Sequence, residues 1–317
     1  MKKTIVVLSP VNDRHKELIE KSAPGADIIY ADDDSVEAWQ IRKANIIFGN
    51  PEPDMLPAAR SLEWLQLFSA GVGPYGRPGT LPQNVILTNA SGAYGLGIAE
   101  HMLGVLLVMF RKLHLYRDNQ NVARWADEGS VKSVYGSTAL IVGLGDIGGE
   151  FARRLKLLGA YTIGIRRTHQ SKPDYLDELH TLDQLGELLP RADIVGLSLP
   201  STPLTQKLIN VDTLSLMKKD AVLINVGRGD CVDTEALCDA LESGHLLGAA
   251  LDVTDPEPLP TDHRLWTIKN AIVTPHVSGG FNLPVTHDRV VGIFVQNLKA
   301  YYGKQDFRSV VDRIAGY

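Results

Sequence analysis

Cysteine is scarce in this chain, with Cys231 and Cys238 the only two among 317 residues. Two thiols cannot build a disulfide framework or a four-ligand zinc site, and neither has a neighbouring histidine or the spacing of a nucleophile. No metal is therefore expected. A basic excess is missing too: 32 Lys and Arg stand against 37 Asp and Glu, giving a formal charge of −5. That balance speaks against a generalised nucleic-acid or anionic-membrane surface. Long apolar runs are also lacking. The most apolar stretch, Met102 to Phe110, ends at Arg111 and Lys112, well short of the ~20 residues of a membrane span. The opening "MKKTIVVLSP" enters a strand pattern directly, without a long apolar region or small-residue cleavage site. These absences predict a reduced, cytoplasmic protein whose partners are small molecules, with no nucleic acid and no membrane.

What is present is ordinary globular composition, 44% apolar and 22% charged, with length for about two domains. "TIVVLSP", "ADIIYAD", "ANIIFGN", "WLQLFSA" and "VILTNA" are unbroken β-rich runs separated by polar, helix-like segments. Such runs belong to strands covered on both faces, hence to a parallel α/β sheet. From Ser91 one long helical stretch follows, "GIAEHMLGVLLVMFRKLHLYRDNQ", apolar around most of its circumference and so in need of partners on more than one side. After Trp125 come six further runs, "STALIVGL", "YTIGI", "ADIVGLSL", "AVLINV", "LLGAALDV" and "NAIVTPH", which fit a doubly wound dinucleotide fold. Beyond Phe281 the chain turns helical with no strand to follow. The expected architecture is α/β with two Rossmann-like domains. A doubly wound dinucleotide-binding domain, residues 99–283, is inserted into a flavodoxin-like substrate domain made of residues 1–98 and 284–317.

"ALIVGLGDIGGEFARRLKLLGA" places Gly143, Gly145 and Gly148 in G-x-G-x-x-G spacing between an apolar strand and an amphipathic helix. Gly143 makes the tight turn, Gly145 lets backbone approach a pyrophosphate, and Gly148 lets helix and strand pack closely. The helix N-terminus supplies N–H groups and positive dipole to the phosphates. About 20 residues on, where an Asp or Glu would bind the ribose 2′-OH of NAD, the chain has Arg166 and Arg167, followed by Thr168. A guanidinium grips a 2′-phosphate that a carboxylate would repel, so NADP(H) is the preferred dinucleotide. NAD(H) remains possible through backbone contacts, and which arginine faces the phosphate is open.

Four segments are more specific: "LSLPSTPLTQKLIN", "INVGRGDCVDTEAL", "ALDVTDPEPLPTDHRLW" and "IVTPHVSGG". Together they closely resemble the D-isomer-specific 2-hydroxyacid dehydrogenase family, and the likeness extends over essentially the whole chain. The resemblance implies a catalytic set of Arg228, Glu257 and His276. Arg228 would hold the carboxylate and carbonyl oxygens of a 2-oxo acid. His276 would give a proton during reduction and take one during oxidation. Glu257 would orient the imidazole and favour its protonated form. In "FSAGVGPYG" the resemblance puts substrate-carboxylate binding on the backbone N–H groups of Ala70, Gly71, Val72 and Gly73, small residues that let amides converge on an anion. Where an acidic or amide residue often follows the Gly-Val pair, Gly73 and Pro74 follow here, which alters the fit of the substrate side chain. Asp146 and Ile147 would lie against the pyrophosphate, Pro200 and Thr205 near the adenosine, and Asp252 near the nicotinamide carboxamide.

Within the family, the short chain, the arginine pair and the intact catalytic set most resemble glyoxylate/hydroxypyruvate reductases. The reading is NADPH-preferring reduction of a small 2-oxo acid to the D-2-hydroxy acid. One alternative is an NAD-linked D-3-phosphoglycerate dehydrogenase. Another, from a different class, is a dinucleotide-sensing, corepressor-like interaction protein. The apolar helix starting near Ile98, with the resemblance, implies a homodimer, while His101 and His114 on that helix read as packing residues.

Overall fold

The computed structural model describes residues 2–31, 35–168 and 171–313. The chain divides into two compact units, Met1–Tyr94 with Phe281–Tyr317, and Gly95–Gly280. In the first unit the five apolar runs become β1 (Thr4–Val7), β2 (Asp27–Tyr30), β3 (Ile46–Phe48), β4 (Trp64–Gln66) and β5 (Ile86–Thr88). They pair in parallel in the order β2-β1-β3-β4-β5, the flavodoxin-like order. Every residue of β3 and β4 is buried, which is why these runs do not alternate. Among the described residues three α-helices accompany the sheet: α1 (Asp13–Ser22), α2 (Ala38–Lys43) and α9 (Pro284–Gly303). The last, built from the C-terminal piece, packs beside α1 and stacks Phe294 on Phe48 of β3 at 4.1 Å between ring centroids. Beyond it Val310 bridges antiparallel to Thr88, and the Val311 N–H donates to Leu87 O at 2.9 Å. That pairing covers part of the β5 edge.

The second unit is a seven-stranded parallel sheet of β6 (Thr138–Val142), β7 (Tyr161–Arg166), β8 (Glu178–Thr181), β9 (Ile194–Leu197), β10 (Val222–Asn225), β11 (Gly248–Leu251) and β12 (Ala271–Val273). Its order, β12-β11-β10-β9-β6-β7-β8, is doubly wound with the reversal between β6 and β9. Helices α3 (Gly95–Phe110), α4 (Leu113–Asn121), α5 (Asp146–Leu157), α6 (Leu185–Leu188), α7 (Val211–Leu216) and α8 (Thr234–Glu242) complete it.

Two sequence expectations need correction. Six runs were expected in this sheet, and β8 is a seventh strand. Its residues, "ELHT", are half-buried throughout, so an edge strand with one wet side shows no apolar run. Its polar side chains are engaged instead: Glu178 pairs with Arg191, accepts from Tyr161 Oη at 2.8 Å and meets His180 Nε2 at 2.8 Å. The long helix is also two helices. Lys112 adopts the left-handed conformation at φ 56, and its ammonium donates to the Glu128 carbonyl. A tertiary contact therefore breaks the helix where neither Gly nor Pro signals a stop. The need of α3 for partners on several sides is met within the unit by α5, β10 and β11.

Candidate active site

The expected residues of the second unit lie in the segments that follow strand carboxyl ends, where doubly wound sheets bind ligands. The glycine loop leaves β6. Gly143 has φ +97, and a Cβ there would lie 2.6 Å from Ser198 O, so only glycine fits the turn. At Gly148 a Cβ would sit 2.2 Å from Gly143 O, the close helix-to-strand approach the spacing anticipates. A Cβ on Gly145 would meet nothing within 4 Å. That open space lies beside Asp146 and Ile147, whose N–H groups belong to the first turn of α5 and have no intrahelical acceptor. A pyrophosphate fits this cradle. The Asp146 carboxylate turns to the N–H of Gly95 at the start of α3, 2.7 Å away.

Arg166 closes β7, with its Nε donating to Leu144 O of the glycine loop at 3.1 Å. Arg167 and Thr168 follow and are exposed. After β9, Pro200 is exposed, while Thr205 is buried and ties the loop by donating from Oγ1 to Pro200 O at 2.7 Å and accepting from the Thr202 N–H at 2.8 Å.

Arg228, Glu257 and His276 follow three consecutive neighbouring strands, β10, β11 and β12. The turn carrying Arg228 is built by Asn225, fully buried, whose amide donates to Arg228 O at 2.9 Å and accepts from the Gly227 N–H at 3.0 Å. Gly229 packs so closely that a Cβ would lie 1.9 Å from Thr254 O. The guanidinium is left exposed, with Nη1 donating to Gly227 O at 2.7 Å. Glu257 meets His276 directly, Oε1 to Nδ1 at 2.7 Å. His276 has φ 51, and its N–H donates to Asp252 O at 2.8 Å. With Nδ1 engaged, Nε2 has no partner among the described residues and is free to exchange a proton.

Asp252 is only 2% exposed. Its carboxylate accepts from Thr274 Oγ1 (2.5 Å), Ser278 Oγ (2.5 Å) and the N–H groups of Val277 (3.0 Å) and Ser278 (3.1 Å). Burial alone would push its carboxyl up, but the hydrogen bonds outweigh it and hold the group below the ordinary aspartate value. Asp252 thus clamps the His276 loop as a buried anion. His101 on α3 reaches the same network, with Nε2 3.5 Å from Thr274 Oγ1. A depressed carboxyl contributes stability above its unfolded value, near 3.9, and loses it as pH falls through the folded value. Asp252→Asn should therefore cost roughly 2–4 kcal/mol at pH 7. The gap to the unaltered protein should narrow below about pH 4; denaturant melts of both at pH 7 and pH 3.5 check this, and a pH-independent gap would remove the charge from the account.

In the first unit, "SAGVG" follows β4. Ala70 O accepts from Asn89 Nδ2 at 2.8 Å and Gly71 O from Ser69 Oγ at 2.7 Å. These contacts fix the carbonyls, while none of the N–H groups of Ala70, Gly71, Val72 and Gly73 donates to an acceptor among the described residues. Four unpaired donors with Gly73 at φ +51 are suited to an anion. Among the described residues no group of His, Cys, Asp or Glu could hold a metal ion. Burial pushes the Cys231 thiol up to about 11, which leaves it unreactive.

Sequence reasoning missed the supporting groups. Asn225 sits inside an otherwise apolar strand, and a polar residue there was the available signal. His101 and the Asp146–Gly95 contact had no local signal, since each depends on partners far along the chain.

Comparison with known proteins gives a consistent picture. Residues 103–278 match the family model described as D-isomer specific 2-hydroxyacid dehydrogenase, NAD binding domain. A glyoxylate reductase of Thermofilum pendens is 32% identical over 232 residues, 72% of this chain and 68% of that protein. A crystal structure of a D-isomer specific 2-hydroxyacid dehydrogenase family protein from Aeromonas salmonicida superposes with TM-score 0.87 at 32% identity, covering 99% of this chain and 100% of that one. Another, from Xanthobacter autotrophicus, solved in complex with NADPH and MES, gives TM-score 0.84 at 27% identity with both chains fully covered.

Proposed function

The chain belongs to the D-isomer specific 2-hydroxyacid dehydrogenase family of NAD(P)-dependent oxidoreductases, and from that premise we propose that it reduces a small 2-oxo acid of the glyoxylate or hydroxypyruvate type to the D-2-hydroxy acid, with NADPH preferred. The observation that carries the reading is the 2.7 Å contact between His276 Nδ1 and Glu257 Oε1, on loops after neighbouring strands. The imidazole is thereby oriented with one nitrogen left for chemistry.

In this reading the backbone N–H groups of Ala70, Gly71, Val72 and Gly73 hold the substrate carboxylate. The Arg228 fork spans carboxylate and carbonyl oxygens and stabilises charge on the carbonyl oxygen. The glycine turn at Gly143, Gly145 and Gly148 would hold a dinucleotide, whose chemistry would be hydride transfer to the carbonyl carbon. His276 gives the Nε2 proton to the carbonyl oxygen, and Glu257 balances the charge of the imidazolium before that transfer. In the oxidative direction the same nitrogen takes the proton back.

Preference for NADPH rests on Arg166, Arg167 and Thr168 standing where NAD sites carry a carboxylate. The relative solved with NADPH lends support. Side-by-side kcat/KM for NADPH and NADH, with glyoxylate, hydroxypyruvate, pyruvate and 3-phosphohydroxypyruvate as acceptors, tests the reading. The expected result is at least tenfold preference for NADPH, about 1.4 kcal/mol, with glyoxylate or hydroxypyruvate the best acceptor. NADH preference with 3-phosphohydroxypyruvate would replace it by phosphoglycerate oxidation.

The proposal includes a homodimer formed through the helical arm of α3 and α4. Leu107, Leu113, Val122 and Trp125 are exposed there, Trp125 entirely, an apolar surface suited to burial against a second copy. Light scattering at micromolar concentration should give twice the 34.6 kDa chain mass; a monomer removes this part.

A further inference from the structure

Each N–H of the stretch 70–73 shares a planar peptide unit with the carbonyl of the residue before it, so whatever holds the carbonyls of residues 69–72 aims those N–H groups. All of these carbonyls are held within the first unit. Ser69 O accepts from the Ala90 N–H at 3.0 Å, Ala70 O from Asn89 Nδ2 at 2.8 Å, Gly71 O from Ser69 Oγ at 2.7 Å and Val72 O from the Tyr75 N–H at 3.2 Å. The donors to Ser69 O and Val72 O are backbone N–H groups with a fixed direction. The Asn89 amide is fixed as well, because its Oδ1 accepts from the Ser91 N–H at 3.1 Å. The donor to Gly71 O is different. It is a hydroxyl, which rotates about its C–O bond and gives its single proton to whichever acceptor suits it. The peptide unit between Gly71 and Val72 is therefore the one whose aim needs a further residue.

Asn50, in the loop after β3, is that residue. Its Oδ1 accepts from the Phe68 N–H at 3.1 Å, and its Nδ2 donates to Ser69 Oγ at 3.0 Å. The Phe68 N–H can only donate, which fixes the amide oxygen on its side and turns the NH₂ group to Ser69. Ser69 Oγ thus receives a hydrogen bond from Asn50, and its own proton is left for Gly71 O. The backbone on either side of Asn50 is anchored. Gly49 donates its N–H to Gln66 O of β4 at 2.9 Å. At φ +147, with a Cβ there only 2.5 Å from Leu8 Cβ, that position admits glycine alone. Pro51 is buried, and its carbonyl accepts from Tyr75 Oη at 2.8 Å. The same loop therefore grips the stretch before Ala70 and again after Gly73.

We propose that Asn50 and Ser69 are positioning residues for the oxo-acid carboxylate: the Asn50 amide orients the Ser69 hydroxyl, which holds Gly71 O and so aims the Val72 N–H at the anion. Both side chains act through the backbone. This rests on the function proposed above, which puts a carboxylate on the stretch 70–73. The relay requires an amide at position 50. A carboxylate accepts and does not donate, so it would take the Phe68 N–H and the Ser69 proton together and release Gly71 O.

The test is steady-state kinetics with glyoxylate and hydroxypyruvate at saturating dinucleotide, for the unaltered protein, Asn50→Asp, Ser69→Ala and the double variant. Asn50→Asp keeps the size and shape of the side chain and Ser69→Ala removes one oxygen, so both should fold. Each should raise the oxo-acid KM roughly tenfold, the loss expected when one hydrogen bond to a charged group is misaligned. kcat and the dinucleotide KM should stay within about threefold. The double variant should be no worse than the more affected single one, because both changes break one chain of contacts. A merely structural role would lower kcat and raise both KM values together. A carboxylate at position 50 that simply repelled the substrate would raise the oxo-acid KM by the same factor with or without the Ser69 hydroxyl. Either result overturns the inference, as does an unchanged oxo-acid KM in Ser69→Ala, whether or not Asn50→Asp folds; in each case the proposed function stands. An unaltered protein that reduces neither oxo acid overturns both.

Discussion

Arg228→Ala is expected to lower kcat/KM for the oxo acid by roughly 10³-fold or more, with dinucleotide affinity little changed. The size follows from what the guanidinium is asked to do. In the proposed role it would meet the carboxylate in the ground state and the carbonyl oxygen as charge develops there, so its loss should raise KM and lower kcat together. The surroundings make the variant readable. The turn is held by the Asn225 amide on Arg228 O and the Gly227 N–H and by the fit of Gly229 under Thr254 O, none of which needs the Arg228 side chain. Truncation should therefore remove a fork without unfolding a loop. Arg228→Lys should recover little, because an ammonium cannot span two oxygens while keeping a bond like that to Gly227 O. Steady-state kinetics with a separate dinucleotide titration checks this. Activity within tenfold of the unaltered enzyme would take Arg228 out of the mechanism.

The same residues show why some of this protein could be read from its sequence and some could not. Strands such as "LIV" of β6 or "VLI" of β10 announce themselves because a parallel strand covered on both faces must be continuously apolar. Edge strand β8 obeys no such demand, and its four residues carry polar contacts in place of a core. The break at Lys112 comes from a contact with Glu128, 16 residues away, which no local pattern encodes.

The site divides in the same way. Glycines 143 and 148 are legible as a turn and a close approach because backbone collisions allow nothing larger, and the positions of Arg228, Glu257 and His276 just past β10, β11 and β12 are legible from the apolar runs that precede them. Their supports were not legible. The anionic clamp at Asp252 takes Thr274, Val277 and Ser278, more than 20 residues downstream. A carboxylate looks the same in sequence whether or not it holds a loop, and only its partners show that Asp252 holds one.

His276→Asn should lower kcat/KM for reduction by roughly 10²- to 10⁴-fold, because the amide can polarise a carbonyl but cannot deliver a proton. The size within that span is set by how much of the imidazole's work is proton transfer. Glu257→Gln separates the two contributions. An amide oxygen at the Glu257 position can still accept from Nδ1, so ring orientation survives while the negative charge 2.7 Å from the imidazole is lost. Glu257→Ala removes both the acceptor and the charge, so it should lower kcat/KM further than Glu257→Gln does. Steady-state kinetics of the two variants beside His276→Asn checks this. Equal losses in Glu257→Gln and Glu257→Ala would mean that the charge, and not the held orientation of the ring, is what Glu257 contributes.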